Sequence, residues 1–228
     1  MVEKLQSDYT FPFATCEPVS DGAGWLAQPW SFAINGATLL ALLAFAFKTP
    51  SAIVRTTLLS YAAFEAWHAF SHARHVPGNL QINVVHVLGY LMAFSTLAAI
   101  LYLSGTSLSL AAGAAIGAAV LLDLALTLRF RSTILMVFTG LAIFSVVVAT
   151  QWSNLPPAFY AAFGWMLAGL VLLMVLFVNE YYRCARMLKI ARAPWHAMIE
   201  ILGFVLFVAL AWNLYAWDRA VAGASARS

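Results

Sequence analysis

The fold is decided by long apolar stretches, of which residues 195–217 are the clearest example. They read WHAMIEILGFVLFVALAWNLYAW, so His196 and Glu200 interrupt an otherwise largely apolar segment. About 20 such residues in a helix cross the ~30 Å hydrocarbon core of a bilayer. This segment is therefore predicted to be a transmembrane helix.

Six further stretches of the same kind precede it. They lie near residues 29–47, 52–75, 80–103, 108–128, 133–152 and 158–182. Hydrophobic residues make up 63% of the 228 residues and charged residues 9%, whereas soluble domains carry about 25% charged residues. We therefore expect an all-α integral membrane protein, a seven-transmembrane-helix bundle. It forms one domain over residues 1–228, with an extramembrane segment at 1–28 and a tail at 218–228. The N-terminus lacks the continuous apolar region of a cleaved signal peptide.

Lysine and arginine are distributed unevenly between the two sides of this predicted bundle. The side with the N-terminus and the links after the second, fourth and sixth stretches holds Lys4, Arg74, Arg129, Arg131, Arg183, Arg186, Lys189 and Arg192. The other side holds Lys48, Arg55, Arg219 and Arg227. Because positive charge favours the cytoplasmic side, the N-terminus is predicted to be cytoplasmic, in a bacterial inner membrane. No basic stripe suggests nucleic-acid binding, so the expected partners are the membrane and a lipid.

The second stretch contains the run FEAWHAFSHARH, where ionisable residues recur with helical spacing. Glu65, His68, His72 and His75 follow one another at steps of three, four and three residues, which places them on one face of a helix. Ionisable groups at membrane depth cost a few kcal/mol each, and they usually face the bundle interior. This stripe is therefore a candidate site.

Other predicted helices bring ionisable residues to the same side of the membrane. These are His86, Asp123, Glu180, His196 and Glu200. Imidazoles with one or two carboxylates suit Zn²⁺ first and Fe²⁺ second. The spacings His68-x3-His72 and His196-x3-Glu200 let both members of each pair reach one ion. The candidate metal ligands are thus His68, His72, His75, His86 and His196, with Glu200 as a further ligand or a catalytic base.

The N-terminal segment carries a resemblance to a known family. Cys16-Glu17-Pro18, then residues 24–30 (GWLAQPW) and Asn35 are similar to the start of the bacterial and alkaline ceramidases. These belong to a wider superfamily of seven-transmembrane zinc hydrolases that includes adiponectin-receptor-like proteins. Ser71-x3-His75 resembles the family's Ser-x3-His on the second helix, and Trp195-His196 resembles the Trp-His that closes its motif on the seventh.

The resemblance implies roles for particular residues. His75, His86 and His196 are the first expected zinc ligands, and Ser71 would position the water or the oxyanion. Glu17, Asp21 and Asn35 are candidates for a calcium site. The sequence also departs from the family, because His86 stands in place of its Asp, Arg192 in place of one His, and Gln28 in place of a Glu.

The expected function is a zinc-dependent hydrolase that cleaves an amide or ester bond of a lipid. Three alternatives use the same cluster. Histidines on facing helices can ligate haem in an electron carrier. A proton or metal-ion transporter is the second alternative, although the far halves of the predicted helices are largely apolar. A diiron oxygenase is the third, suggested by Glu65-x2-His68 but without a second copy of that motif.

Overall fold

The computed structural model describes most of the predicted helices. It covers residues 26, 28–74, 76, 78–107, 109–130, 142, 146, 149, 153, 164–176, 179, 180, 183 and 195–225. The helices are α1 (Pro29–Lys48), α2 (Ala52–Ala73), α3 (Gly78–Ser104), α4 (Leu110–Phe130), α5 (Gly164–Leu176) and α6 (Trp195–Ser225). Within these ranges there is no strand, so the prediction of an all-helical chain is confirmed for the described residues.

Three of these helices are long and apolar enough to cross a membrane. They are Pro29–Lys48, Asn83–Ser104 and Trp195–Ala224. The apolar segments Leu110–Leu126 and Gly164–Leu176 are shorter. The described α2, also a predicted span, is not among the three. The predicted stretch 133–152 and parts of 158–182 lie outside the described residues, so seven spans remain a prediction.

Local sequence explains where the helices begin and end. Pro29 opens α1, where its missing N–H is harmless. Ser51 caps α2 by accepting the N–H of Val54 at 3.4 Å. Gly105 ends α3 with a φ of 65°, which a glycine adopts without strain. There the N–H of Thr106 donates to the carbonyl of Leu101 at 3.0 Å, as in a Schellman motif.

The packing of α1, α2, α3 and α6 builds the core. Residues 49–51 join α1 to α2, so these helices run antiparallel, while α1 also packs against α6 and α3 against α2. The apolar core consists of Leu42, Ala46, Val54, Leu58, Ala62, Ala99, Leu103, Ala211 and Leu214. These residues come from the C-terminal parts of α1, α3 and α6 and from the N-terminal half of α2. The opposite end of the bundle is left for polar side chains.

Hydroxyl groups join α2 to α3 between the two ends. The hydroxyl of Thr57 donates to the carbonyl of Ser95 at 2.8 Å. The hydroxyls of Ser60 and Ser95 lie 2.8 Å apart, and those of Tyr61 and Thr96 lie 2.9 Å apart. Such bonds across helices are a common stabilising contact in membrane proteins.

Candidate metal centre

Four ionisable side chains from two helices converge at the end of the bundle opposite the apolar core. His68 and His72 lie in the last two turns of α2, and His196 and Glu200 in the first two turns of α6. One ligand atom from each lies within 4.8 Å of the others. His72, His196 and Glu200 are buried, whereas 27% of the His68 side chain is exposed. We call these four residues the His3Glu cluster.

Glu200 is the centre of the cluster. Its Oε1 atom lies 2.8 Å from Nε2 of His196, 3.4 Å from Nε2 of His68 and 3.6 Å from Nε2 of His72. Among the described residues this oxygen nevertheless makes no hydrogen bond of acceptable geometry. A buried carboxylate oxygen without a hydrogen bond is rare in proteins.

The separations from Glu200 fit those between neighbouring ligands of one ion. Zinc bonds of ~2.0–2.1 Å in a tetrahedral arrangement separate neighbouring ligand atoms by about 3.3 Å. The three separations from Glu200 Oε1 range from 2.8 to 3.6 Å and therefore bracket that value. Three imidazoles and one carboxylate also match the chemical preference of Zn²⁺ and Fe²⁺. The residues present can thus hold a divalent metal ion.

A second carboxylate fixes the orientation of His196. Nδ1 of His196 lies 3.0 and 3.1 Å from the two carboxylate oxygens of Glu180, a fully buried residue. An Nδ1–H that donates to Glu180 leaves the lone pair on Nε2, the atom that faces Glu200. This carboxylate–histidine arrangement is typical of ligands in metal sites.

In the other two histidines, His72 and His68, Nδ1 also faces a side-chain oxygen atom. Nδ1 of His72 lies 2.7 Å from Oε1 of Gln28, immediately before α1. Nδ1 of His68 lies 4.0 Å from Oε2 of Glu65, a distance too long for a hydrogen bond. In all three histidines Nδ1 therefore faces an oxygen atom outside the cluster, and Nε2 faces Glu200.

The structure brings some predicted site residues together and separates others. His68, His72, His196 and Glu200 meet, whereas His86 does not belong to the described cluster. His86 is buried on α3, with its ring centroid 6.4 Å from that of Tyr90. Tyr90 in turn donates a hydrogen bond to the buried Asp123 of α4. His75 lies outside the described residues.

The remaining predicted residues make local contacts or are not described. The hydroxyl of Ser71 donates to the carbonyl of His68 at 2.8 Å, and its role in positioning water stays a prediction. The amide of Asn35 is buried and donates to the carbonyl of Ser31 at 3.0 Å. Glu17 and Asp21, the other calcium candidates, lie outside the described residues.

Sequence reasoning missed the outer partners of the histidines. Glu180 is predicted only as an acid at membrane depth, because no spacing connects it to His196. The sequence shows Gln28 only as a departure from the ceramidase pattern. Glu65 shares a helical spacing with His68, but in the sequence this spacing suggests a diiron site and not an outer partner.

Comparison with known proteins yields no relative for this chain. No protein-family model matches it, and no curated protein or solved structure shows significant similarity.

Proposed function

We propose that the protein is a membrane-embedded, metal-dependent hydrolase that cleaves an amide or ester bond of a lipid. The observation that carries this proposal is the His3Glu cluster, whose four ligand atoms lie within 4.8 Å of one another at one end of the helices. The ceramidase-like N-terminal segment motivates the choice of reaction. A divalent ion held there, zinc or iron, supplies Lewis-acid activation of water and of a carbonyl group.

The protein side chains divide the remaining tasks. His72 and His196 are the buried ligands, and Gln28 and Glu180 hold their rings through Nδ1. His68 is the partly exposed ligand, so the substrate approaches from its side. Glu200 is close enough to all three histidines to serve as the fourth ligand or to accept a proton from water.

The surroundings favour a lipid as substrate. The ring of Phe64 lies 5.8 Å from that of His68 and 6.5 Å from that of Phe207, stacked with the latter. An apolar wall thus adjoins the partly exposed ligand. A substrate that combines an acyl chain with an amide or ester group, such as a ceramide, suits this combination of an apolar wall and a polar centre.

The proposed topology is the one predicted from the sequence. The protein crosses a bacterial inner membrane seven times, with a cytoplasmic N-terminus and with the catalytic cluster near the cytoplasmic face. Cysteines placed at Lys4 and Arg74 should react with an impermeant reagent from the same side. Labelling from opposite sides would contradict this topology.

A metal-ion or proton transporter is the second candidate function. The hydroxyl pairs Ser60–Ser95 and Tyr61–Thr96 place further polar groups about two turns of α2 away from His68. A haem site is less compatible with the cluster. The ring of His72 lies 4.9 Å from that of His68 and 5.0 Å from that of His196, which leaves no space for a macrocycle between them.

One experiment tests the hydrolase against the transporter. Purified protein loaded with Zn²⁺ is incubated with ceramides, acyl-ethanolamides and lysolipids, and the release of fatty acid is followed. In parallel, the protein is reconstituted in vesicles and the uptake of ⁶⁵Zn²⁺ is measured. Release that is lost in His196→Ala and kept in Lys48→Ala supports the hydrolase. Uptake without release supports the transporter, and metal-loaded protein with neither activity contradicts both the hydrolase and the transport of zinc.

A further inference from the structure

Gln28 is attached to His72 at two points. The N–H of Gln28 donates to the carbonyl of His72 at 2.9 Å. The Oε1 atom of Gln28 lies 2.7 Å from Nδ1 of His72. Only 2% of the Gln28 residue is exposed. The residue before α1 is thereby fixed to the C-terminal end of α2.

The side chain of Gln28 makes this contact instead of capping its own helix. Gln28 occupies the N-cap position of α1, and its side chain forms no capping hydrogen bond there. An N-cap side chain stabilises its helix when its oxygen accepts a backbone N–H of the first turn. The position is therefore better explained by the contact with His72 than by the stability of α1.

The contact determines which nitrogen of His72 carries the proton. An amide oxygen can only accept, so Nδ1 of His72 must donate to it. The lone pair then resides on Nε2, the atom 3.6 Å from Oε1 of Glu200. In metal sites, the hydrogen bond of one ring nitrogen sets the state of the other in this way.

A neutral acceptor also suits the charge of the site. Glu65, Glu180 and Glu200 are all buried around the cluster. A carboxylate at position 28 would add a negative charge to this region, whereas an amide orients the ring without doing so.

We propose that Gln28 is a positioning residue of the metal centre, which holds His72 as the Nδ1–H tautomer with Nε2 directed at the ion. This inference rests on the metal site of the proposed function. It assigns a task to the segment that precedes α1. It does not depend on which lipid, if any, is cleaved.

Three variants of the full-length protein test the proposal in detergent. Gln28→Met keeps the approximate size and removes the acceptor. Gln28→Glu keeps an acceptor oxygen. Thr38→Val is the matched control, because the one hydrogen bond that the buried Thr38 hydroxyl makes among the described residues is to the carbonyl of Ile34 within α1, at 3.0 Å. Circular dichroism selects the variants that are folded.

The first measurement is ¹⁵N NMR of histidine-labelled, metal-free protein. We expect the His72 signal to report the Nδ1–H tautomer in the wild type, Gln28→Glu and Thr38→Val, and a tautomer mixture in Gln28→Met. An unchanged tautomer in Gln28→Met would overturn the proposal. If Gln28→Met does not fold, the wild-type signal decides, because an Nε2–H tautomer there contradicts the proposal directly.

The second measurement is titration with Co²⁺, whose visible spectrum reports ligand geometry. Gln28→Met should bind about 10–100-fold more weakly than the wild type, with an altered spectrum, as removal of outer partners typically causes. Gln28→Glu should restore the spectrum. Equal affinity and spectra in the wild type and Gln28→Met would reject the role of Gln28 but would leave the metal centre intact. No Co²⁺ binding by the wild type would instead reject the metal centre of the proposed function.

Discussion

Both ends of the bundle bury acidic side chains, but the partners of these side chains differ between the two ends. At the end with the apolar core, Oδ2 of Asp218 accepts the N–H of Ser51 at 3.0 Å, at the start of α2. At the other end, Oε1 of Glu200 faces three imidazoles and makes no hydrogen bond among the described residues. Burial of an acid alone therefore does not identify a functional site.

The difference lies in what satisfies the buried charge. The carboxylate of Asp218 lies at a helix N-terminus, where backbone N–H groups and the helix dipole stabilise it. Glu200 and the histidines around it need a cation or protons to compensate their lone pairs. We conclude that Asp218 stabilises the fold, whereas Glu200 and its neighbours could hold a metal ion.

The largest expected effect is the loss of bound metal in His196→Ala. This change removes a buried ligand and leaves Glu180 without its imidazole partner. Metal analysis of purified protein should find about one ion per chain in the wild type and in Lys48→Ala, and almost none in His196→Ala. Full metal content in His196→Ala would contradict the cluster.

His86→Ala sharpens the same comparison. The sequence ranks His86 among the first ligands, but it is not a member of the described cluster. We therefore expect His86→Ala to retain its metal under conditions in which His72→Ala loses it. The opposite result would restore the ligand set expected from the resemblance.

The next largest effect is expected for Glu200→Gln, which separates two tasks of one residue. If Glu200 is a ligand, the replacement of its carboxylate by an amide lowers the metal content of the variant. If it accepts the proton of water, metal content stays and the hydrolysis rate falls by ~10²–10⁴-fold. Parallel measurement of metal and turnover distinguishes the two. A variant with normal metal and normal turnover would remove Glu200 from the mechanism.

The sequence predicts the helices well, because apolar length is a local property. The starts of α1 at Pro29 and α6 at Trp195 agree with those expected from the sequence. The face of α2 that carries Glu65, His68 and His72 also follows from local spacing. These features depend on neighbours within a few turns of one helix.

Which residues form the site depends on how the helices pack, and local sequence patterns do not predict this. No local pattern states that Glu180 reaches His196, or that Gln28 reaches His72. Those contacts join residues far apart in sequence. The rotation of α3 likewise decides whether His86 faces α2 and α6, and the spacing of its apolar residues does not specify it, since α3 is apolar on most sides.

At the opposite end, a smaller effect is expected for Asp218→Ala. It leaves the N–H of Ser51 without this acceptor and should lower the free energy of unfolding by about 1 kcal/mol. Metal content should not change. Asp218→Asn keeps an acceptor oxygen and should lose less. Thermal unfolding in detergent measures both variants, and a loss of metal in either would show that the two ends are coupled.

The smallest expected effect concerns the hydroxyl contact between the two ends. Ser60 and Ser95 contact each other, and each hydroxyl also has an acceptor in its own helix, at Thr57 and Met92. Because each hydroxyl keeps a local partner, a double-mutant cycle with Ser60→Ala and Ser95→Ala should give a coupling of only ~0.6 kcal/mol, the average for such bonds in membranes. The cycle is measured by unfolding in mixed detergent. A coupling above ~2 kcal/mol, or a loss of transport without a loss of stability, would instead assign these hydroxyls to a polar path from the metal centre.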